Sequence, residues 1–226
     1  MIYISIGMQC TTTFFLQKHN LKSKTLPFDW MFSTPKFVFE MLHLLLEQDA
    51  NIPELVGYHF FNCNKTVSNV DNNFIISDND GYVLYNETYN VIFPHEIESY
   101  NHNDYNADSK LLENLNKYLR RFERLKNLIL NPNEELCFIY TSQSSLKSGN
   151  FTINCNNAIN DAYFYLNKIY ELISKYKNNF KFIIFDALKE DNKSLLNEKI
   201  ILVELNSCDN YHELLPQMDN FIHFCL

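Results

Sequence analysis

Cys10 is the residue whose sequence surroundings most favour chemistry. An apolar run from Ile2 to Ile6 is followed by Gly7, and Cys10 then stands at the start of a helical pattern. A thiol in the first helical turn lies at the positive end of the helix dipole, near unpaired backbone N–H groups, and both favour the thiolate. The sequence therefore predicts a cysteine nucleophile, with backbone N–H groups around Gln9 and Cys10 to hold an oxyanion. The alternative is an ordinary buried cysteine, which is a common role for this residue type.

A cysteine nucleophile needs a histidine to accept its proton, and seven histidines compete for that role. His95 is the best placed, because it directly follows Pro94 and a strand-like run that ends at Phe93, where a sheet can hold the imidazole rigidly. We expect two other histidines to be structural and two to be exposed; these are His43 and His59, and His19 and His102, respectively.

The third member of a catalytic triad is an acid that orients the imidazole. Asp29 stands between Phe28 and Trp30, and a carboxylate among large apolar residues is costly unless a cation or an imidazole pairs with it. Asp186 is the competing acid, because it follows the strand-like run Phe182–Phe185 and strand ends collect site residues in α/β folds. Asp29 could instead have a structural role, such as pairing with an arginine.

A second catalytic arrangement is present near the end of the sequence. Asp209-Asn210-Tyr211-His212 contains an Asp-x-x-His pair, and together with a nucleophile after the first strand this is the layout of SGNH-type esterases. Chance supplies such a pair easily in a chain with many aspartates and histidines. Those esterases also use serine in a Gly-Asp-Ser block, whereas Gly7-Met8-Gln9-Cys10 stands in that place here.

The only three arginines of the chain, Arg120, Arg121 and Arg124, lie within five residues. Arg120 and Arg124 are four apart, so they share one face of the helix predicted there. Lysine replaces arginine poorly where a planar, bidentate donor is needed. We expect the pair to anchor a buried carboxylate, with Asp29 as one possible partner; a solvated helix face is the simpler alternative.

Strand-like and helical segments alternate at both ends of the chain. Ser33-Thr34-Pro35 predicts an N-cap for a helix over residues 36–48, and apolar spacing predicts a helix from about 108 to 130 and another that ends near Ile173. Between the first two helices, Asn79-Asp80-Gly81 predicts a hairpin turn. A loop is expected over 142–156. The remaining strand-like runs are His59–Phe61, Asn73–Ser77, Tyr82–Tyr85, Val91–Phe93, Leu136–Tyr140 and Ile200–Val203.

This alternation predicts an α/β or α+β layered domain. We expect one domain over residues 1–226, with a mostly parallel central sheet flanked by helices and a small antiparallel hairpin excursion in region 58–95. The apolar runs of the later strands are typical of a sheet covered on both faces.

Composition excludes several classes of function. Of the 226 residues, 46% are hydrophobic, and this content argues against global disorder. The net charge of −8 argues against an extended nucleic-acid surface. No apolar run is long enough to cross a bilayer, and the N-terminus lacks the pattern of a signal peptide, so we expect a cytoplasmic protein with reduced thiols. Its six cysteines show no metal-ligand spacing, and we expect neither a metal nor another cofactor.

Several of these motifs together resemble one known family. Ile4-Ser5-Ile6-Gly7-x-x-Cys10 followed by Pro27-Phe28-Asp29-Trp30 is similar to a family of papain-like cysteine peptidases, a domain of unknown function in bacteria and giant viruses. The segments Phe93-x-His95 and Tyr118–Arg124 extend the resemblance, which covers most of residues 2–141. Glu96 departs from the family pattern, where an aspartate is expected after the histidine.

The resemblance implies Cys10 as nucleophile, His95 as base and Asp29 as acid of a cysteine hydrolase that cleaves an amide, isopeptide or related acyl bond. A protein or peptide substrate is then expected, and a viral source would place the protein in host cytoplasm or in the virion. Two other hypotheses stay open. One is a non-catalytic interaction module; the other is an SGNH-like esterase or acyltransferase that uses Cys10, Asp209 and His212.

Overall fold

A four-stranded, all-parallel sheet lies at the centre of the structure, a computed structural model. Its strands, in hydrogen-bonded order, are β1 (Ile2–Ser5), β6 (Leu136–Thr141), β9 (Phe180–Asp186) and β10 (Ile201–Glu204). The parallel sheet with its helices confirms the predicted α/β class. The structure describes residues 1–8, 10–48, 50–60, 65–67, 74–76, 83–86, 88–89, 91–93, 107–142, 145–148, 151–154, 161–187, 193–207 and 211–226.

Six α-helices accompany the sheet in the described part of the chain. They are α1 (Cys10–Lys18), α2 (Pro35–Leu46), α3 (Ile52–Glu54), α4 (Ala107–Leu130), α5 (Ala162–Ser174) and α6 (Tyr211–Asp219). The α3 turn continues as a π-helix, Leu55–Phe60, and two 3₁₀ turns cover Lys193–Leu195 and Ile222–Phe224. Within these described residues, no helix combines the length and the apolar character that a membrane crossing requires.

The predicted cap of α2 is confirmed. Thr34 is the N-cap residue, and its hydroxyl accepts a hydrogen bond from the backbone N–H of Phe37 at 3.2 Å. Pro35 occupies the first helical position, where its missing N–H costs nothing. Local chemistry therefore sets the start of this helix, as the sequence indicated.

Both faces of the sheet are covered, as predicted. Side chains alternate along each strand, so Ile4 and Phe138 pack on one face while Tyr3 and Ile139 pack on the other. Buried residues of α2, α4 and α5 join the first of these two cores, and those of α1 and α6 join the second. We call these the α2/α4/α5 layer and the α1/α6 layer.

Polar residues collect at the carboxyl edge of the sheet. Cys10 follows β1, Ser142 follows β6, and Asp186 is the last residue of β9. Parallel strands bring their carboxyl ends to one edge, and ligands of open α/β sheets bind outside that edge. The fold thus positions a candidate site there.

Two small antiparallel sheets accompany the central sheet; the first lies within the predicted excursion over 58–95, whereas the second takes two of its strands from residues 145–154. One contains β2 (Lys65–Val67), β4 (Val83–Asn86) and β5 (Val91–Phe93), in the order β2-β4-β5. The other contains β3 (Phe74–Ile76), β7 (Ser145–Ser148) and β8 (Phe151–Asn154), in the order β3-β8-β7.

Three local predictions are wrong. The hairpin across Asn79-Asp80-Gly81, residues that lie outside the described ones, would pair β3 with β4; instead β3 pairs with β8, and β4 pairs with β2 and β5. The run expected as a strand from His59 lies within the π-helix, where buried Leu55, Val56 and Phe60 share a helical face. The loop expected over 142–156 contains β7 and β8, because their residues complete an antiparallel sheet with β3.

Candidate active site

The turn between β1 and α1 carries Cys10 to the carboxyl edge. Hydrogen bonds from the Ile6 N–H to the Ile139 carbonyl (2.9 Å) and from the Met8 N–H to the Thr141 carbonyl (3.4 Å) keep the chain beside β6 as far as Met8. The turn leaves the sheet there, and α1 begins at Cys10.

Gly7 is required by space in this turn. A Cβ atom at position 7 would lie 2.2 Å from the Thr12 hydroxyl oxygen and 3.3 Å from the Thr141 backbone nitrogen. Ser33 fixes the same turn from outside the sheet, because its hydroxyl donates to the Gly7 carbonyl at 3.0 Å and its N–H to the Met8 carbonyl at 3.0 Å. The sharp exit predicted at Gly7 is thus explained by the close approach of the first helical turn.

The first turn of α1 is anchored by its threonines. Thr12 bonds the Thr141 hydroxyl at 2.8 Å, which ties α1 to the end of β6, and Thr13 donates to the Asp29 carboxylate at 3.1 Å. All three threonines, Thr11 to Thr13, are buried, whereas Cys10 is half-buried. Cys10 is therefore the reachable residue at the start of a rigidly held helix.

The charge environment of Cys10 differs from the sequence-based expectation. Burial raises the pKa of its thiol from an ordinary 9.0 to about 12; a hydrogen bond from its own backbone N–H lowers the pKa, and the charge of Asp29 raises it. The helix start therefore acts in the predicted direction, but burial outweighs it. Cys10 needs a base to become a thiolate near neutral pH.

Asp29 is fully buried and held by three donors. Its Oδ1 accepts from the Thr13 hydroxyl, and its Oδ2 accepts from the Leu26 N–H at 2.6 Å and from the Lys22 ammonium. Lys22 is itself almost fully buried. Burial lowers the pKa of Lys22, Asp29 raises it, and Arg121 lowers it; the net direction is downward.

The expectation that Arg120 or Arg124 anchors Asp29 is wrong. Both arginines are exposed; Arg124 donates to the Thr25 carbonyl at 2.6 Å, and with Lys24 the pair lines an open groove of about 470 Å³. Arg121 stacks on the Tyr118 ring, 4.8 Å from its centroid. Lys22 takes the cation role because it stands on the same short segment that leads to Asp29.

Asp186, the competing acid, is also buried, but hydroxyl groups hold it. Ser142 donates to its Oδ1 at 2.7 Å, and Tyr163 donates to its Oδ2. The Ser142 oxygen in turn accepts the N–H of Ala187 at 3.0 Å. This cluster links the carboxyl ends of β6 and β9, and no motif in the sequence indicated Ser142 or Tyr163.

The predicted catalytic histidine stays a prediction. His95 lies outside the described residues, two positions after the end of β5, as does Asp209 of the alternative arrangement. His212 is exposed in the first turn of α6. His19, expected to be exposed, is half-buried, and its Nε2 lies 2.7 Å from the Asp219 carboxylate.

The other histidines and the cysteines form no metal site and no disulfide among the described residues. His43 stacks on Phe39 within α2, which fits the structural role predicted for it, and His102 lies outside the described residues. Across the described ranges, no three His, Cys, Asp or Glu side chains cluster in a way that could hold a metal ion. Cys10, Cys137 and Cys225, the described cysteines, form no disulfides.

Comparison with known proteins identifies the family. The family model described as "Putative papain-like cysteine peptidase (DUF1796)" matches residues 1–204, which include Cys10, Asp29 and His95 and end with β10. No curated protein and no solved structure matches the chain. Because the match spans most of the 226 residues, the chain belongs to this papain-like cysteine peptidase family.

Proposed function

We propose that the protein is a cysteine hydrolase that cleaves an amide, isopeptide or related acyl bond in a protein or peptide substrate. Cys10 is the nucleophile, His95 the base and Asp29 the acid that orients the imidazole. The observation that carries the proposal is the half-buried Cys10 thiol at the start of an anchored helix, on the carboxyl edge of a parallel sheet.

The chemistry needs a base close to the thiol. With a pKa of about 12, only about one Cys10 in 10⁵ would be a thiolate at neutral pH. In the proposed mechanism His95 takes the thiol proton, and the thiolate attacks the acyl carbon to form a C–S bond. The carbonyl electron pair moves to oxygen, where backbone N–H groups around Gln9 and Cys10 stabilise the oxyanion.

Two bond changes complete the turnover. Collapse of the oxyanion breaks the C–N bond, and the leaving amine takes the proton from the His95 imidazolium. Water then attacks the thioester while His95 accepts its proton, and breakage of the C–S bond returns the thiol of Cys10. The sum is hydrolysis of one acyl bond, with no further reactant.

An aromatic cluster supports the pairing of His95 with Asp29. Phe93, the last residue of β5, is fully buried, and its ring centroid lies 5.2 Å from that of Phe60. The Phe60 ring lies 6.3 Å from Phe28, the neighbour of Asp29 in the sequence. The end of β5, two residues before His95, therefore belongs to the same core as the segment that carries Asp29.

The Asp29 carboxylate has an acceptor position that none of its described donors uses. Its Oδ1 accepts one described hydrogen bond, from Thr13, and a carboxylate oxygen can accept two. An N–H from His95 could occupy the second position, which would hold the imidazole in the tautomer that accepts the thiol proton. Asp186 is the alternative acid, because it ends β9 at the same edge of the sheet.

Acyl transfer to Cys10 tests the proposal directly. We expect p-nitrophenyl acetate to acetylate Cys10, detected by intact mass and peptide mapping, and to release p-nitrophenolate. Cys10→Ser should remove the acetyl-cysteine, and His95→Ala should slow its formation by about 10²-fold or more. His223→Ala, a change at an exposed histidine of the C-terminal 3₁₀ turn, is the matched control and should have no effect.

A second candidate function, an esterase or acyltransferase that uses Cys10, Asp209 and His212, has one observation in its favour. Lys18 and His19, at the end of α1, both contact Asp219, the last residue of α6. The helix α1 follows β1 and α6 follows β10, and both strands belong to the parallel sheet, so we infer that Cys10 and His212, in the first turns of these helices, lie towards the carboxyl edge. The family match, however, ends before α6.

The same acylation experiment separates the candidates. Loss of acetylation in His212→Ala, with His95→Ala unaffected, would favour the esterase-like arrangement. A wild-type protein that never acylates Cys10 would leave the non-catalytic interaction module as the remaining hypothesis.

A further inference from the structure

Two arginines of α4 line a groove that the proposed catalytic function does not use. Arg120 and Arg124 share the groove with Lys24, and its volume is about 470 Å³. Glu134, another lining residue, stands two positions before β6 begins, so the groove reaches the amino edge of the parallel sheet. Cys10 lies at the carboxyl edge. We call the region around Lys24, Arg120 and Arg124 the arginine groove.

Arg124 is held in place by a backbone group beside the groove. Its Nη1 donates to the carbonyl of Thr25 at 2.6 Å, and Thr25 directly follows Lys24 in the chain. This hydrogen bond ties α4 to the segment that carries Lys24, so the fold brings the two cations together. A guanidinium has five N–H donors, and the Thr25 carbonyl uses one of them. The other donors can bind a ligand.

The other two cations of the groove have no counter-ion in the described part of the chain. There, neither the Lys24 ammonium nor the Arg120 guanidinium forms an ion pair or a side-chain hydrogen bond. Glu123 and Glu134 line the same groove, and among the described residues their carboxylates form no ion pair either. The positive charges of Lys24 and Arg120 are therefore available to an anion.

A buried cation adds positive charge at the end of α4. Lys177 is 4% exposed, and its ammonium donates to the carbonyl of Asn131, a lining residue that directly follows α4. The carboxyl end of a helix carries a partial negative charge, which would repel an anion. Lys177 offsets that charge. Three cations against two carboxylates also leave the groove lining positive, although the chain as a whole has a net charge of −8.

We propose that the arginine groove is a second binding site, and that it takes a small phosphate monoester that carries hydroxyl groups. The planar guanidinium groups of Arg120 and Arg124 can each bind two phosphate oxygens. A monoester has about two negative charges near neutral pH, so it matches these arginines and Lys24 better than a single carboxylate does. The carboxylates of Glu123 and Glu134 accept hydrogen bonds from the hydroxyl groups. The volume of the groove lies within the range of small-molecule sites.

NMR of the arginine side chains tests the proposal, because the chain has only three arginines. An Arg→Lys variant at each position assigns the three Nε–H signals. We expect millimolar ribose 5-phosphate to shift the signals of Arg120 and Arg124 saturably, and to shift that of Arg121, which stacks on Tyr118, much less. Ribose, which lacks the phosphate, and sulfate, which lacks the hydroxyl groups, should each bind at least about tenfold more weakly.

Three results would overturn the proposal. The first is the absence of a saturable shift with ribose 5-phosphate, and the second is sulfate that binds as tightly as ribose 5-phosphate. The third is a phosphoserine peptide that binds more tightly than ribose 5-phosphate, because this result would assign the groove to a protein partner.

Variants assign the binding to the groove residues. Arg120→Gln removes an exposed cation that no described residue pairs, so the fold should tolerate it, and the affinity for ribose 5-phosphate should fall about tenfold or more. Lys24→Gln should also weaken binding. Lys36→Gln is the matched control, because Lys36 is exposed near the start of α2 and does not line the groove. An unchanged affinity in Arg120→Gln, or an equal fall in Lys36→Gln, also overturns the site.

Discussion

Burial raises the thiol pKa of both Cys10 and Cys137, although the two residues lie in very different places. Burial raises both to about 12; Cys225 raises the pKa of Cys137 further and Lys181 lowers it, whereas the backbone N–H lowers and Asp29 raises that of Cys10. Cys137 is fully buried within β6, but Cys10 is half-buried at a helix start. The acidity of the thiol therefore does not distinguish a nucleophile in this protein; access to the thiol and the presence of a base do.

The largest difference between the two thiols should be in alkylation. Cys137 can meet a reagent only when the protein opens, and unfolded fractions of folded proteins are about 10⁻³ to 10⁻⁶. A short pulse of iodoacetamide at native conditions, followed by peptide mass spectrometry, should therefore label Cys10 about 10³-fold faster or more. Equal labelling rates for Cys10 and Cys137 would show that iodoacetamide reaches Cys10 no more readily than a core cysteine.

The Asp29 contacts that support the Cys10 helix should carry the largest stability effect. Asp29→Ala leaves the buried ammonium of Lys22 without its carboxylate, and breaking a buried pair in this way costs about 3–5 kcal/mol. Urea unfolding measures the loss. The double variant Asp29→Ala, Lys22→Met should recover part of it, because the unpaired charge is gone. Full stability of Asp29→Ala alone would show that the ion pair contributes little.

The buried thiols should make the free energy of unfolding fall at alkaline pH. Cys137 and Cys225 have pKa values of about 12 and 11 in the folded protein, against 9.0 ordinarily. Folding therefore retains protons that the unfolded chain loses, so the stability from these thiols is complete below pH 9 and falls as the pH rises. The expected loss is about 1.4 kcal/mol per thiol at about pH 10.

Substitution of each cysteine sharpens that result. Cys137→Ala should reduce the slope of unfolding free energy against pH above pH 9. Cys10→Ala should leave the slope of unfolding free energy against pH nearly unchanged if a histidine in the folded protein already takes the proton of the Cys10 thiol. A Cys10→Ala slope that falls as much as that of Cys137→Ala would show that Cys10 stays a protonated thiol up to about pH 12.

A smaller effect is expected from the hydrogen bond that ties α1 to β6. Thr12→Val keeps the shape of the side chain but removes its bond to the buried Thr141 hydroxyl, at a cost of about 1 kcal/mol. The free energy of unfolding, measured with urea, should fall. The Cys10 alkylation rate should also change, since this bond holds the first turn of α1. Ile139→Val, a change of one methyl in the same layer, is the control for packing alone. Equal alkylation rates in the two variants would exclude a special role for Thr12.

Sequence patterns predicted the parts of the fold that depend on local chemistry. The alternation of Ile2, Ile4 and Ile6, the cap at Thr34 and the apolar runs of the central strands led to the parallel sheet and its helices. The hairpin prediction failed because a turn motif is local, whereas the pairing of β3 with β8 depends on residues some 75 positions later.

The candidate site was predictable to a similar degree. The sequence placed Cys10 at a helix start and required a partner for a buried Asp29, and both are confirmed. It did not identify Lys22 as that partner, because the need for a cation does not specify which cation the fold brings near. It could not indicate Ser142 or Tyr163, whose bonds to Asp186 exist only when two strands and a helix meet.

If His95 takes the proton of Cys10, the pH dependence of Cys10 alkylation should depend on His95. Rate constants with iodoacetamide, measured across pH for wild type, His95→Ala and His212→Ala, give the apparent pKa of the thiol in each. We predict an apparent pKa below 9.0, the ordinary value of a cysteine thiol, in wild type and in His212→Ala. His95→Ala should raise the apparent pKa towards about 12. A wild-type value already near 12, or a rise caused by His212→Ala alone, would contradict the assignment of His95 as the base.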